Sequence, residues 1–163
     1  LLEALRTLPA DVACSLEVVG DGPLRELLEE AAAGLPVTFL GQLSRHDLMR
    51  RYVESDVVVV PSVLAGSGDQ DGLPVALLEA MAAGCAVVAS DLPGINEAIE
   101  RDVSGVLVAP GDAAALGSAL ALLVADGERR AAMGFAAAGR ARAYSIDAVG
   151  RRYCDLLTTL VAP

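Results

Sequence analysis

Residues Asp56 to Ser90 read DVVVVPSVLAGSGDQDGLPVALLEAMAAGCAVVAS, and this stretch decides the fold. Asp56–Val60 is an apolar run of strand length, built from a β-branched residue that packs well on a pleated surface. It stops at Pro61-Ser62. A loop rich in glycine then leads to a helix expected from Pro74 to Ala83, closed by Gly84. Ala86–Ala89 is a second apolar strand. A strand that is apolar on both faces and followed by a helix and another such strand belongs at the buried centre of a parallel sheet.

The same alternation extends in both directions. Upstream, Ser15–Val19 and Val37–Leu40 read as strands that stop at Gly20-Asp21-Gly22-Pro23 and at Gly41. Pro23 suits the first residue of a helix running to about Ala33, where its missing N–H costs nothing. Ser44-Arg45-His46-Asp47 resembles a capping box that opens a helix to Glu54. Downstream, helices are expected over Ile95–Glu100 and Asp112–Val124, with a strand at Gly105–Val108 between them. From about Glu128 the chain reads as helix to its end, with a break near Tyr144-Ser145. Strands alternating with helices predict an α/β, Rossmann-like three-layer sandwich with a parallel sheet. Ligands in such sheets bind beyond the carboxyl ends of the strands. The Gly20–Pro23 and Pro61–Gly72 loops are the ones rich enough to matter.

Composition narrows the function. The 163 residues suit one domain. At 54% hydrophobic and 21% charged the chain is not disordered, and no apolar run reaches the roughly 18–20 residues a membrane helix needs. A net charge of −10 disfavours binding to phosphate backbones, so no nucleic-acid partner is expected. Every basic residue is arginine, which excludes lysine chemistry from this chain. Cys14, Cys85 and Cys154 have neither disulfide-framework nor zinc spacing and read as buried thiols in a reducing compartment. The N-terminal residues lack a signal-peptide pattern, and a cytoplasmic location is expected.

Within the deciding stretch, Asp71 lies in the loop before a helix and Glu79 lies eight residues later inside it. Gly72 keeps the entry free of side-chain bulk. Free amides at a helix start make an anion site that needs no basic side chain. A carboxylate repels phosphate but accepts strongly from sugar hydroxyls. The combination suits a nucleotide diphosphate sugar; the ordinary alternative is an acidic helix start with one buried, hydrogen-bonded glutamate. Gly20-Asp21-Gly22 lacks the third glycine of a dinucleotide fingerprint, since Arg25 stands there. It reads as a tight turn that borders a nucleotide site at most. Asp69-Gln70-Asp71 fails as a calcium loop, because Leu78 falls where the bidentate glutamate belongs. As an Asp-x-Asp metal pair it is too short to be specific, and no metal is expected. His46 and the arginines Arg140, Arg142, Arg151 and Arg152 read as solvated.

Asp56–Ser62 and Asp71–Ser90, with Val19–Pro23, Phe39-Leu40-Gly41, Pro93–Glu97 and Pro110-Gly111-Asp112 in order, resemble the group 1 (family 4) retaining glycosyltransferases. The match is to the C-terminal, donor-binding half of their two-domain GT-B fold. The resemblance implies that Glu79 holds the ribose hydroxyls and that Asp71 occupies the catalytic position facing the transferred sugar, where the family has glutamate. It implies that the amides of Val75 and Ala76 meet the diphosphate, that Pro74 costs the site one donor, and that Gln42 and Leu43 face the base. Gly20, Gly72 and Leu73 complete the donor-binding set, and Glu97 is implied as a support.

In the family this half opens with a central strand bearing an arginine, followed by a lysine, and neither is in this sequence. In strand order 3-2-1-4-5-6 that strand is the middle one. Its loss leaves two flanking strands to pair directly, to receive a strand from another chain, or to await the rest of a longer polypeptide. The expectation is a single domain, residues 1–163, that is a fragment of a two-domain protein and inactive alone. The implied function is binding of a UDP- or GDP-sugar for retaining, hexosyl-type transfer to an acceptor held by the absent N-terminal domain. That domain could also supply any peripheral membrane contact. No cofactor is expected. The alternatives are half of a nucleotide-sugar epimerase and a non-catalytic interaction module.

Overall fold

The chain alternates helix and strand as its sequence demands: α1 (Leu2–Arg6), β1 (Leu16–Val19), α2 (Arg25–Ala31), β2 (Val37–Gly41), α3 (Arg45–Glu54), β3 (Val57–Val60), α4 (Val75–Ala82), β4 (Ala86–Ser90), α5 (Ile95–Ala98), β5 (Val106–Val108), α6 (Ala113–Ala125), α7 (Gly127–Ala141) and α8 (Ile146–Val161). A computed structural model describes residues 1–9, 12–64 and 72–161. A 3₁₀ turn over Arg142–Tyr144 makes the expected break between the last two helices.

Side-chain caps explain where the longer helices start. Ser44 Oγ accepts from the Asp47 N–H at 3.1 Å and opens α3. Asp112 and Asp126 do the same for α6 and α7, accepting from Ala115 and Arg129 at 2.8 and 2.9 Å. Each such cap contributes about 1 kcal/mol by satisfying an orphan donor. Pro23 does not open α2. The Arg25 N–H donates to the Gly22 carbonyl at 3.1 Å, so the chain completes a turn over Gly22–Arg25 before the helix begins.

All strand pairs are parallel, in two separate groups. β1 pairs with β2, from Leu16 opposite Val37 onward. β4 is central in the other group, with Val57–Val60 of β3 opposite Ala86–Ala89 on one side and β5 on the other. Among the described residues β1 and β3 do not pair directly, so the order β2-β1 and β3-β4-β5 leaves each of them one edge without a strand. This corrects the reading of Asp56–Val60 as the buried centre. Val57, Val58 and Val59 are only half-buried because, among the described residues, one edge of β3 has no strand beside it, whereas every residue of β4 is buried.

Alternation along β4 sends side chains to two cores. Val87 and Ala89 pack with Leu77, Met81, Ile95 and Ala137 from α4, α5 and α7. Ala86 and Val88 pack with Ala4, Leu116, Leu120 and Leu123 from α1 and α6. Helices therefore cover both faces of this sheet, giving the three expected layers. Polar contacts tie the β1–β2 group to the rest. Arg51 of α3 meets Glu17 of β1 at 3.2 Å, and Arg6 of α1 donates to the Ala31 carbonyl at the end of α2.

Of the three cysteines, only Cys85 matches the expected buried thiol; Cys14 is half-buried and Cys154 is exposed on α8. That helix buries little. Ile146, Val149, Tyr153, Leu156 and Leu160 recur every three or four residues and are all exposed, Ile146 at 87%. No helix among the described residues is long and apolar enough to cross a membrane.

Candidate functional site

α4 begins directly after a proline, with its first two backbone donors unclaimed by backbone carbonyls among the described residues. Pro74 precedes the helix, and its carbonyl accepts the first helical bonds, from Leu77 at 3.0 Å and Leu78 at 3.4 Å. The Val75 and Ala76 N–H groups lie before that ladder, on exposed residues, and donate to no backbone carbonyl among the described residues. Leu77, Ala80 and Met81 are buried and anchor the helix to the core. Glu79 stands four residues beyond Val75 and three beyond Ala76, so all three share one face.

The Glu79 carboxylate is half-buried, and among the described residues it makes neither a hydrogen bond nor an ion pair. The ordinary alternative expects a buried, hydrogen-bonded glutamate; Glu79 is only half-buried and has no such bond among the described residues. The Tyr52 hydroxyl feels its charge. Burial pushes that hydroxyl above its ordinary range, and the negative charges of Glu79 and Cys85 add to the shift. Asp71, the expected catalytic carboxylate, lies outside the described residues, as do Ser67, Asp69 and Gln70 of the metal readings. Among the described residues no three His, Cys, Asp or Glu side chains converge to hold a metal.

Gly72 is held from a neighbouring loop. Gly94 has φ of +87°, and a Cβ built on it would lie 1.9 Å from the Gly72 carbonyl oxygen. Gly94 belongs to the Pro93–Glu97 motif but not to the expected site residues; the Pro93-Gly94 step before a short helix is its local signal. Several contacts brace the Gly94 loop. The Asp91 N–H donates to the Val108 carbonyl at 2.7 Å, Asn96 Nδ2 donates to Asp91 Oδ1 at 2.9 Å, and Arg101 bridges Asp91 and the Leu107 carbonyl. Arg140, expected to be solvated, instead clamps α5. Its Nε donates to the Ala98 carbonyl at 2.7 Å and its Nη2 to the Glu97 carbonyl at 2.8 Å. Glu97 thus contributes its backbone here, and its side chain is exposed. Arg142, Arg151, Arg152 and His46 are exposed as expected.

The two upstream loops form a second cluster. The Gly20 N–H, beyond β1, donates to the Gly41 carbonyl at 2.8 Å, which brings Gly20 beside Gln42 and Leu43. Gln42 is exposed and Leu43 half-buried. Arg25 lies over this junction, with Glu29 at 2.8 Å and Asp21 at 3.9 Å. No hydrogen bond or ion pair among the described residues joins this cluster to Gly72–Glu79. A cavity of about 210 Å³ lies on the α1–α6 side, lined by Leu1, Ser90, Val108, Asp112 and Leu116, and none of the expected site residues lines it.

The loop-and-helix geometry now has a family. The model for "Glycosyl transferases group 1" matches residues 1–126. The chain belongs to the group 1 glycosyltransferases. Among group 1 relatives, the amylovoran biosynthesis glycosyltransferase AmsK of Erwinia amylovora is 39% identical over 132 residues, 78% of this chain and 32% of AmsK. The GDP-mannose-dependent alpha-(1-6)-phosphatidylinositol monomannoside mannosyltransferase of Mycobacterium tuberculosis is 34% identical over 131 residues, 77% of this chain and 34% of its own length. The chain thus spans about a third of these relatives. In structure it resembles Anabaena HepE in complex with UDP-glucose, with a TM-score of 0.82 and 22% identity over 98% of this chain and 44% of HepE. This glycosyltransferase domain therefore has a Rossmann-like fold of the GT-B type.

Proposed function

We propose that this domain is the half of a retaining, hexosyl-type glycosyltransferase that holds the nucleotide diphosphate sugar. The observation that carries the reading is the half-buried Glu79 carboxylate, which has no partner among the described residues, on the same helix face as the Val75 and Ala76 amides, which donate to no backbone carbonyl among them. In this reading the amides and the dipole of α4 receive the diphosphate, with Leu73 and Gly72 beside it. Glu79 accepts from the ribose hydroxyls, each charge-assisted bond contributing about 1.5–3 kcal/mol. Gln42, Leu43 and Gly20 border the base, and Asp71 faces the sugar. The names of the relatives support both candidate bases, since HepE was solved with UDP-glucose and the mycobacterial enzyme is GDP-mannose-dependent.

Catalysis then consists of holding donor and acceptor together and stabilising the departing diphosphate. No step requires a metal in this scheme, and the acceptor belongs to the remainder of a longer polypeptide. That remainder also gives the apolar face of α8 something to pack against. Unpaired thiols accord with a cytoplasmic location. By itself the domain binds donor and does not turn over.

The test is a two-dimensional amide NMR titration of the domain with UDP and with GDP, repeated on Glu79→Gln. Saturable shifts confined to Gly72–Glu79 and the Gly20 and Gln42 loops, weakened tenfold or more in the variant, are expected. A dispersed spectrum that ignores both nucleotides at millimolar concentration would favour a non-catalytic interaction module.

A further inference from the structure

We propose that Gly94 is a positioning residue for the donor site, acting through the Gly72–Leu73 peptide; this rests on the donor reading above. The missing Cβ at Gly94 lets the Gly72 carbonyl approach to where that atom would stand, 1.9 Å from the oxygen and 2.7 Å from the carbonyl carbon. A trans peptide is planar, with its C=O and N–H pointing in opposite directions. The contact that fixes the Gly72 carbonyl against Gly94 therefore aims the Leu73 N–H away from Gly94. It also sets the approach of the chain to Pro74 and to the free amides of Val75 and Ala76.

A side chain at Gly94 cannot be absorbed by the Gly94 loop itself. Ile95 and Ala98 are fully buried, Asn96 and Arg101 hold Asp91, and Arg140 clamps the carbonyls of Glu97 and Ala98. The Ala98 N–H returns to the Gly94 carbonyl at 3.3 Å, tying Gly94 into α5. The displacement, more than 1 Å to reach ordinary van der Waals contact, falls on Gly72 instead. Gly72 is exposed, and among the described residues no hydrogen bond or ion pair braces it in the way the Gly94 loop is braced. Misplacement on that scale is enough to cost roughly a hundredfold in positioned chemistry. Arg140 and Asn96 are, by the same argument, the supports that make Gly94 unyielding.

The experiment compares Gly94→Ala with Gly34→Ala by amide NMR and by UDP and GDP titration of the whole chain. Gly34 has φ of +79° and open space around its Cβ, so its variant carries the backbone strain without the collision. Gly94→Ala is expected to move the Gly72, Leu73, Val75 and Ala76 amide resonances before any ligand is added, and to weaken the nucleotide tenfold or more. Gly34→Ala is expected to do neither. Should Gly94→Ala fail to fold, Asn96→Ala serves: loosening the brace is expected to shift the Leu73 amide and weaken binding about threefold. If wild type binds and these variants bind equally well, with the Leu73 amide unmoved, the positioning role is overturned while the donor site stands. If wild type binds neither nucleotide, the donor reading falls and this role falls with it.

Discussion

Arg51 Nη1 lies 3.2 Å from Glu17 Oε1, and this ion pair joins α3 to the strand whose far edge has no partner. Among the described residues β1 and β3 exchange no backbone hydrogen bonds, and polar contacts such as this one help hold the β1–β2 group to the rest. Both side chains are about a third exposed, and solvent screens the pair. Glu17→Ala is expected to lower global stability by less than ~1 kcal/mol. Its larger effect is local: amide exchange should quicken in Leu16–Val19 and Val37–Gly41 and stay unchanged in Ala86–Ser90. Hydrogen exchange followed by NMR reads both, and uniform quickening would refute this division.

Cys85 makes stability fall in alkali. Its thiol is 4% exposed, donates to the Tyr52 carbonyl at 3.0 Å, and is pushed up by burial to about 11. An unfolded cysteine ionises near 8.5–9, so between that pH and 11 the unfolded chain has released a proton the folded chain keeps. The stabilisation is fully present below pH 8.5 and is lost as pH rises through 11, by roughly 2–3 kcal/mol. Tyr52, also raised, acts in the same direction. Urea unfolding from pH 8 to 11 should show this slope, and Cys85→Ala should flatten it. With a thiol reagent at pH 8, Cys154 should react first and Cys85 only on unfolding.

Arg140 holds α5 against α7 with two bonds to carbonyls and lies 3.7 Å from Glu100. Arg140→Ala is expected to destabilise by about 2 kcal/mol, chiefly through those carbonyls. Arg140→Lys should restore less than half, because an ammonium cannot reproduce the fork. Urea midpoints measure the series. Equal stability of Ala and wild type would show that the carbonyls find water instead.

The Asp47 carboxyl is held below its usual range, first by the hydrogen bond from Ser44 and then by Arg50 and His46. Ser44→Ala is expected to raise the Asp47 midpoint in an NMR titration and to fray the first turn of α3. An unmoved midpoint would place the cause in the arginine instead.

The local geometry at the start of α4 follows from the sequence alone. Asp71-Gly72-Leu73-Pro74 announces a helix start, and the spacing from Val75 to Glu79 places both on one face, because a helix repeats every 3.6 residues. What spacing left open was whether Glu79 is buried and bonded or half-open and free; that depends on neighbours such as Tyr52, 27 positions away.

The sequence by itself determined β1–β5 and α2–α8 to within a few residues, since β-branched runs, caps and glycines act on their own neighbourhood. Only the tertiary structure decided that Val57–Val60 is an edge, that Arg140 is a clamp, and that Gly94 abuts Gly72. Those facts concern which distant backbones meet. No local propensity encodes such meetings, because they arise from the summed packing of the whole chain.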